Sequence, residues 1–310
     1  MDFSKILKRS WKLTLTAKSL WWLGFFAVLT EAGLESATFY QLPAIPTNKD
    51  TAKAFTDSLS QQIISFFNLS NVGLLSIIIA IVTTLIIVVL YISYRSKAGL
   101  IIFADQSETS GVKKNESAKK FFKLGQKYAW KLFIFNILLS LIAALFVAIV
   151  LSPMIPFVSG ANEIVPLILL AGLSIVAIAI LVLFSVFLTI VKQFGERLIV
   201  LKNSSATQAL SKSMKMAYKK ISSSLLIWLV ALAIQVSFTI ASVIAFFVLG
   251  LLFFVIGALF YFLAGDLGAM TIGTIGSLAV VAAAVLVVSA LTTFASYFWT
   301  LCFNRLTNES

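Results

Sequence analysis

The sequence contains no histidine in its 310 residues and only one cysteine, Cys302. Because histidine is the commonest proton shuttle and metal ligand near neutral pH, its absence argues against most zinc and di-iron sites. A single cysteine cannot form a disulfide framework within the chain, and the glycine patterns of nucleotide phosphate sites, GxGxxG and GxxxxGK[ST], do not occur. We therefore predict no cofactor, no metal centre and no enzymatic activity.

Charged residues are also scarce, at 12% of the chain, whereas 60% of the residues are hydrophobic and the mean hydropathy is +1.03. A soluble domain has about a quarter charged residues, so most of this chain does not face water. Apolar runs of about 20 residues are long enough to cross the hydrocarbon core of a membrane. The sequence has six such runs, at 19–34, 72–94, 132–151, 164–191, 223–250 and 272–303.

These runs predict an all-α fold: a polytopic transmembrane helix bundle of about six spans, forming a single integral membrane domain over residues 1–310. The segment 223–264 is apolar throughout and too long for one tilted helix. Gly250 and Gly257 are the predicted breaks, followed by a short helix or a re-entrant turn. A second full crossing in this segment is the alternative, and it would make seven spans.

The basic residues are distributed very unevenly between the loops. The net charge is +12, and 22 of the 24 Lys and Arg residues precede, follow or separate the runs on one side of the predicted bundle. Only Lys49 and Lys53 lie in the alternate loops. Cytoplasmic loops retain Lys and Arg in this way during insertion. The pattern therefore predicts a multipass protein of a bacterial inner membrane with both termini in the cytoplasm.

Three segments combine an apolar stripe at helical spacing with a basic face, and each leads directly into a membrane run. The stripes are Phe3, Leu7, Trp11 and Leu15 in the first segment, Phe121, Leu124, Tyr128 and Leu132 in the second, and Leu210, Met214, Ala217 and Ile221 in the third. The opposite faces contain Lys5, Lys8, Arg9 and Lys12, then Lys119, Lys120, Lys123 and Lys127, then Lys212, Lys215 and Lys219. Such helices lie in the headgroup plane of a membrane.

We expect these three basic amphipathic interfacial helices to bind anionic membrane lipids through their lysines. Nucleic acid is not an expected partner, because no second basic face is left for a duplex and no base-reading motif accompanies the lysines. Each interfacial helix with its hairpin of spans forms one unit of an internal repeat, with units at 2–105, 116–192 and 206–310. Short polar linkers, "SKAGLIIFADQSETSGVKKNES" and "KNSSATQ", are predicted between the units.

The segment "GERLIVLKNSSATQALSKSMKMAYKK" follows the fourth run and contains an Ala-Leu-x-x-Ser motif at Ala209, Leu210 and Ser213. With the overall layout, it resembles the membrane domain of some bacterial glycerophosphodiester phosphodiesterases. It is similar too to uncharacterised six-helix bacterial membrane proteins. The resemblance covers most of the chain and implies a membrane module. The soluble catalytic domain of that family has no counterpart in these residues, so no catalytic residue is carried over.

No Asp, Glu, Lys or Arg lies in the middle of a predicted span, where an ion-coupled carrier usually needs one. The intramembrane polar residues are Gln235, Asn136, Thr83 and Thr84, which we interpret as helix-packing contacts or, alternatively, as the lining of a transport path. Glu196 and Arg197, beside Gln193, are predicted to form an ion pair or to contact a lipid phosphate.

Two functions follow from these observations. The first is a non-enzymatic, lipid-associated membrane scaffold or partner-binding module. The alternative is a transporter or pore for a small solute or lipid. A homo-oligomer or a membrane protein partner is compatible with both.

Overall fold

The computed structural model describes residues 2–29, 72–110, 117–154 and 164–308. In these ranges every regular element is helical and no strand occurs, which confirms the all-α class. Predictions for the first run beyond Leu29 and for the Lys49 and Lys53 loop lie outside the described residues. The helices are α1 (Phe3–Thr16), α2 (Lys18–Leu29), α3 (Val72–Ser110), α4 (Ala118–Gly125), α5 (Ala129–Leu151), α6 (Ile164–Lys202), α7 (Ala206–Lys219) and α8 (Ile221–Asn308).

Four helical stretches of the described chain are long and apolar enough to cross a membrane. They are Ser76–Thr109, Ala118–Leu151, Ile168–Lys202 and Ile221–Thr307. The mean hydropathy of their most apolar stretches lies between 2.7 and 3.0. The α2 helix is apolar but shorter. A helix rises about 1.5 Å per residue, and a hydrocarbon core is about 30 Å thick. The 39 residues of α3 and of α6 therefore extend well beyond one apolar layer.

Helix α8 is folded back on itself at Gly265, where φ is 61° and ψ is −150°. Only glycine adopts this backbone region readily, so this residue fixes the place of the turn. The arms 221–264 and 266–308 lie side by side, since Lys220 Nζ donates to the Leu306 carbonyl at 2.7 Å. The predicted breaks at Gly250 and Gly257 are wrong, because both residues lie inside the continuous first arm.

The hydrophobic core is concentrated at one end of the bundle, which we call the packed end. It comprises α1, α4 and α7 with the adjoining parts of α2, α3, α5, α6 and α8. Its largest fully buried apolar side chains are Leu13, Leu20, Leu100, Ile101, Phe121, Leu132, Phe135, Phe194, Phe298 and Phe303. The rest of the long helices forms the apolar end. In the most apolar stretch of each of the four candidate spans, the buried share is only 6%, 17%, 17% and 0% in chain order.

The polar linker predicted at 96–117 is wrong over its first part, 96–110. The segment continues α3 as a regular helix, and Leu100, Ile101 and Phe103 are buried in the packed end. The ring of Phe103 lies 5.1 Å from that of Phe121 and 5.5 Å from that of Tyr297. These aromatic contacts tie α3 to α4 and to the second arm of α8.

Helix α4 lies directly against the backbone of α3 through two glycines. A Cβ added at Gly99 would meet the Phe121 carbonyl oxygen at 2.8 Å, and one added at Gly125 would clash with the Arg95 carbonyl oxygen. The Arg95 Nε donates to the Phe122 carbonyl at 2.7 Å, and its guanidinium lies 4.0 Å from the Phe122 ring centroid. Helix α4 is therefore an integral part of the core.

Candidate functional site

The eleven basic residues predicted to meet lipid headgroups are all exposed. Helix α1 presents four of them, α4 with the 3-10 turn that follows it presents four, and α7 presents three. We call this set the basic surface: Lys5, Lys8, Arg9, Lys12, Lys119, Lys120, Lys123, Lys127, Lys212, Lys215 and Lys219. The structure places the whole set on helices of the packed end.

Lys5 and Arg9 of the basic surface also contact other groups of the protein. Lys5 Nζ lies 3.1 Å from Asp2 Oδ2, and hydrogen bonding from Lys5 lowers the pKa of the Asp2 carboxyl. Arg9 Nη2 donates to the Ser107 carbonyl at 3.2 Å and to the Glu108 carbonyl at 3.4 Å, which fastens α1 to the end of α3.

The faces that the surface helices bury differ from the predicted apolar stripes. Helix α1 buries Ile6, Ser10, Leu13 and Thr14, and α7 buries Ala206, Ala209, Ser213 and Ala217. Trp11 and Leu15 of the predicted α1 stripe stay 44% and 45% exposed, and Ile221 stays 54% exposed. In the second segment Leu124 is exposed while Phe121 is buried. The 3-10 turn at Gln126–Tyr128 then interrupts the helical register before Leu132. Small residues allow the inner faces to approach the bundle closely.

Each surface helix, or the helix joined to it, therefore has a third face that is apolar but uncovered. Exposed aromatic residues lie on these faces, and they are Trp11, Trp22, Trp130 and Tyr218, the last being 77% exposed. Trp and Tyr are enriched where a protein meets the boundary between lipid and water. Beside them lie the lysines of the basic surface.

A second cluster of charges is buried where α3, α6 and the second arm of α8 meet. Lys97 Nζ donates to Glu196 Oε1 at 2.8 Å, and the two side chains are only 6% and 0% exposed. Arg197 Nη1 donates to the backbone and side-chain oxygens of Gln193, both at 2.7 Å, and Nη2 donates to the Ser296 carbonyl at 3.3 Å. We call these residues the buried charge cluster.

The buried charge cluster lines a cavity of about 460 Å³ that extends between α2, α3, α6 and the two arms of α8. Its polar lining comprises Lys97, Thr189, Gln193, Arg197, Gln235, Thr239, Thr292 and Ser296. Its apolar lining includes Trp228, Leu232, Ile234, Val288, Leu291, Phe294, Phe298 and Trp299. The cavity thus joins charged groups in the packed end to apolar walls that extend toward the apolar end.

The polar residues singled out in the sequence lie in different places. Gln235 lines the cavity and is exposed there. Asn136 is buried and donates from Nδ2 to the Leu132 carbonyl of its own helix at 2.9 Å. Thr83 and Thr84 are exposed on the apolar half of α3, with Thr84 donating to the Ala80 carbonyl at 2.8 Å. Of these four residues, only Gln235 lines the cavity.

Glu196 and Arg197 form the predicted ion pair only weakly, since Arg197 Nη1 lies 3.9 Å from Glu196 Oε2. The stronger partner of Glu196 is Lys97, one of the 22 basic residues predicted on the cytoplasmic side. The two residues are 99 positions apart, so no local pattern pairs them. The available sequence signal was the presence of Glu196 itself inside a long, otherwise apolar segment.

Among the residues that the structure describes, no group of three His, Cys, Asp or Glu side chains could bind a metal ion. The fold, the four apolar helices and the exposed apolar end define a class, the all-helical membrane proteins. The chain belongs to the family of unknown function DUF7544, whose profile matches residues 9–307. No curated protein and no solved structure matches the sequence. The resemblance to the membrane domain of phosphodiesterases stays a prediction.

Proposed function

We propose that this protein is a non-enzymatic, lipid-associated module of a bacterial inner membrane, with the basic surface on the cytoplasmic side. Six crossings agree with a hairpin α8, since each of its two arms is long enough to span. The proposal places both termini in the cytoplasm and the turn at Gly265 outside. In this arrangement α1, α4 and α7 lie at the level of the headgroups.

The observation that supports this proposal best is the pairing of exposed lysines with exposed aromatic residues at the packed end. The inner faces of the surface helices are already filled by protein contacts. Apolar side chains outside those faces, Leu15 and Leu124 among them, stay exposed, and the proposal covers them with lipid. Acyl chains would cover the aromatic residues while lipid phosphates meet the lysines, each lysine contributing about 1 kcal/mol before screening.

The test is to change Lys119, Lys120, Lys123 and Lys127 together to Gln. The protein is placed in nanodiscs of phosphatidylcholine with phosphatidylglycerol, and the amount of phosphatidylglycerol that stays bound to it is measured. We expect weaker association with the anionic lipid, most clearly at low salt, because the Debye length shrinks to about 8 Å at physiological ionic strength. Arg at the same four positions is the matched control and should retain association. Equal phosphatidylglycerol retention by the Gln and parent proteins at low salt would refute the proposal.

The transporter or pore is a second candidate because the cavity contains Gln235, Thr239 and Thr292 between the arms of α8. An aqueous or lipid path needs such polar groups inside a membrane bundle. Solute flux or lipid translocation in proteoliposomes that is lost in Gln235→Leu would favour this candidate. The scaffold proposal predicts no flux in either protein.

A further inference from the structure

We infer that the cavity beside the buried charge cluster binds an uncharged lipid of the monoacylglycerol type, with its hydroxyl-bearing head among neutral polar side chains and its acyl chain against the apolar wall. These polar side chains lie on α6 and on the two arms of α8, so the site is separate from the basic surface. Recognition of the head does not need the charges of the cluster.

Three helical segments each present two polar side chains to the cavity, four residues apart. We call them the three polar pairs: Thr189 and Gln193 on α6, Gln235 and Thr239 on the first arm of α8, and Thr292 and Ser296 on its second arm. Side chains at i and i+4 lie on one face of a helix, so each pair faces the cavity as a unit. Polar side chains of membrane helices mostly face the interior of a bundle or a cavity, and here three such faces meet.

Helix packing is the ordinary use of such residues, because side-chain hydrogen bonds hold membrane helices together. The three polar pairs are not used in this way, since no side-chain hydrogen bond joins one pair to another in the part of the chain that the structure describes. Thr189, Thr239 and Thr292 donate instead to carbonyls of their own helices, at 2.9, 2.9 and 3.0 Å. The pairs therefore surround the cavity without closing it.

Two members of the polar pairs have side chains that make no hydrogen bond. Ser296 is 8% exposed, and its buried hydroxyl has no hydrogen-bond partner among the described residues. The side-chain amide of Gln235 makes no hydrogen bond there either, although it lies within the apolar run 223–250. Because buried polar atoms in native proteins are nearly always paired, the Ser296 hydroxyl indicates a partner inside the cavity.

The hydrogens and lone pairs that remain select the head of the ligand. The three threonine hydroxyls have given their hydrogens to their own helices, so toward the cavity they offer lone pairs, which need a donor. The Ser296 hydroxyl and the Gln235 amide can both donate and accept. A carboxylate has no hydrogen to donate, whereas the hydroxyls of a glycerol head both donate and accept. A neutral hydroxylated head therefore uses more of this wall than a carboxylate does.

The charged side chains of the wall disfavour a cationic head and do not require an anionic one. Lys97 Nζ is paired with Glu196 Oε1 at 2.8 Å. Arg197 donates to Gln193 and to the Ser296 carbonyl. Because Lys97 and Arg197 both line the cavity, an ammonium head would lie beside like charge. A neutral head avoids this repulsion and leaves the contacts of both cations in place.

The rest of the wall is apolar and suits an acyl chain. Trp228, Leu232, Val288 and Leu291 line it between the two arms of α8. Leu232 and Val288 are 40% and 41% exposed, so the wall reaches the outer surface of the arms. The volume of about 460 Å³ lies in the usual range for small-molecule pockets. A head among the polar pairs would thus place its chain along this wall.

The first test compares ligands on the purified full chain by native mass spectrometry, in a zwitterionic detergent that has no hydroxyl groups to compete. Monooctanoylglycerol should bind saturably. Methyl octanoate, octanoate and octylammonium have the same length of chain without the hydroxyls and should bind about tenfold more weakly or worse, because hydrogen bonds to the head are lost. Glycerol, which lacks the chain, should not be retained. No saturable binding of monooctanoylglycerol, or equal binding of any of the three other amphiphiles, would overturn the inference.

A pair of threonine variants then tests the position of the head. Thr292→Val removes the hydroxyl from the cavity wall, so binding of monooctanoylglycerol should fall about threefold to tenfold, the usual effect of one lost hydrogen bond. Thr274→Val is the matched control, because Thr274 lies on the same arm, donates to its own helix at 2.9 Å and does not line the cavity. Equal binding by these two variants would contradict the site.

Ser296→Ala separates a ligand contact from a structural role. The change removes a hydroxyl that is unpaired in the described chain, so the melting temperature of the free protein should stay the same or rise, while binding should fall about threefold or more. A lower melting temperature with unchanged binding would contradict the inference. Changing Lys119, Lys120, Lys123 and Lys127 together to Gln should leave binding as in the parent, which distinguishes failure here from failure of the proposed function. The ligand comparison uses the parent chain and does not depend on the folding of any variant.

Discussion

The two ends of the helix bundle are stabilised in different ways. At the packed end, side chains such as Phe121, Phe135 and Phe194 are buried against neighbouring helices, although this end also contains most of the charges. At the apolar end, Leu183, Phe262 and Leu263 are 72%, 85% and 81% exposed, although the sequence there is almost purely hydrophobic. In this membrane protein, the most hydrophobic segments are thus the least packed by the chain itself.

The physical reason is that apolar side chains gain nothing from leaving lipid for other apolar side chains. Helices in a membrane associate through close packing and hydrogen bonds. Both are found at the packed end, where Gly99 and Gly125 bring backbones together and the buried charge cluster connects three helices. The apolar end needs no such contacts to stay out of water.

The largest effect is expected from truncating a packed aromatic residue. Phe121→Ala should lower the free energy of unfolding by about 3–5 kcal/mol, because its ring fills space beside Phe103 and leaves a cavity. Phe262→Ala, at the apolar end, is the control and should change it much less. Thermal unfolding in detergent measures both. Similar losses in the two variants would mean that the apolar end is also packed by protein.

Two glycine substitutions should show the same difference in stability between the packed end and the apolar end, with a smaller change in the free energy of unfolding. Gly125→Ala places a methyl group against the Arg95 carbonyl oxygen and should cost about 1–3 kcal/mol through overpacking. Gly172→Ala has nothing within 4 Å of its new Cβ and should be neutral, or stabilising by up to about 1 kcal/mol through helix propensity. The measurement is again thermal unfolding. A destabilised Gly172→Ala would show that a partner covers this part of α6.

Hydropathy predicted the apolar helices well, because a run such as 132–151 has one way to satisfy its backbone in lipid. The predicted runs at 72–94 and 164–191 lie within α3 and α6, and those at 223–250 and 272–303 lie within the two arms of α8. The ends of the helices were not predicted. Both α3 and α6 continue through charged residues, because Lys97 and Glu196 neutralise each other only after the chain has folded.

The basic surface was predicted from the sequence, but the way its helices pack against the bundle was not. Exposure of the eleven basic residues followed from helical spacing, whereas the inner faces did not, since Ser10, Ser213 and the alanines of α7 are small rather than hydrophobic. The turn at Gly265 was missed although the sequence gives a signal for it, because Asp266 follows this glycine whereas Gly250 and Gly257 have only apolar neighbours. The cavity depends on contacts among helices far apart in sequence, which periodicity does not show.

The central claim is that lipid covers the apolar end while protein covers the packed end. Spin labels at single cysteines in a Cys302→Ala background, reconstituted in liposomes, test it by power saturation with oxygen and with a water-soluble nickel chelate. A label at Leu183 should be relaxed strongly by oxygen and weakly by the chelate, a label at Lys215 should show the reverse, and a label at Phe194 should be shielded from both. Shielding of Leu183 from oxygen would contradict the account, because it would mean that a second protein surface, such as another copy of the chain, covers the apolar end.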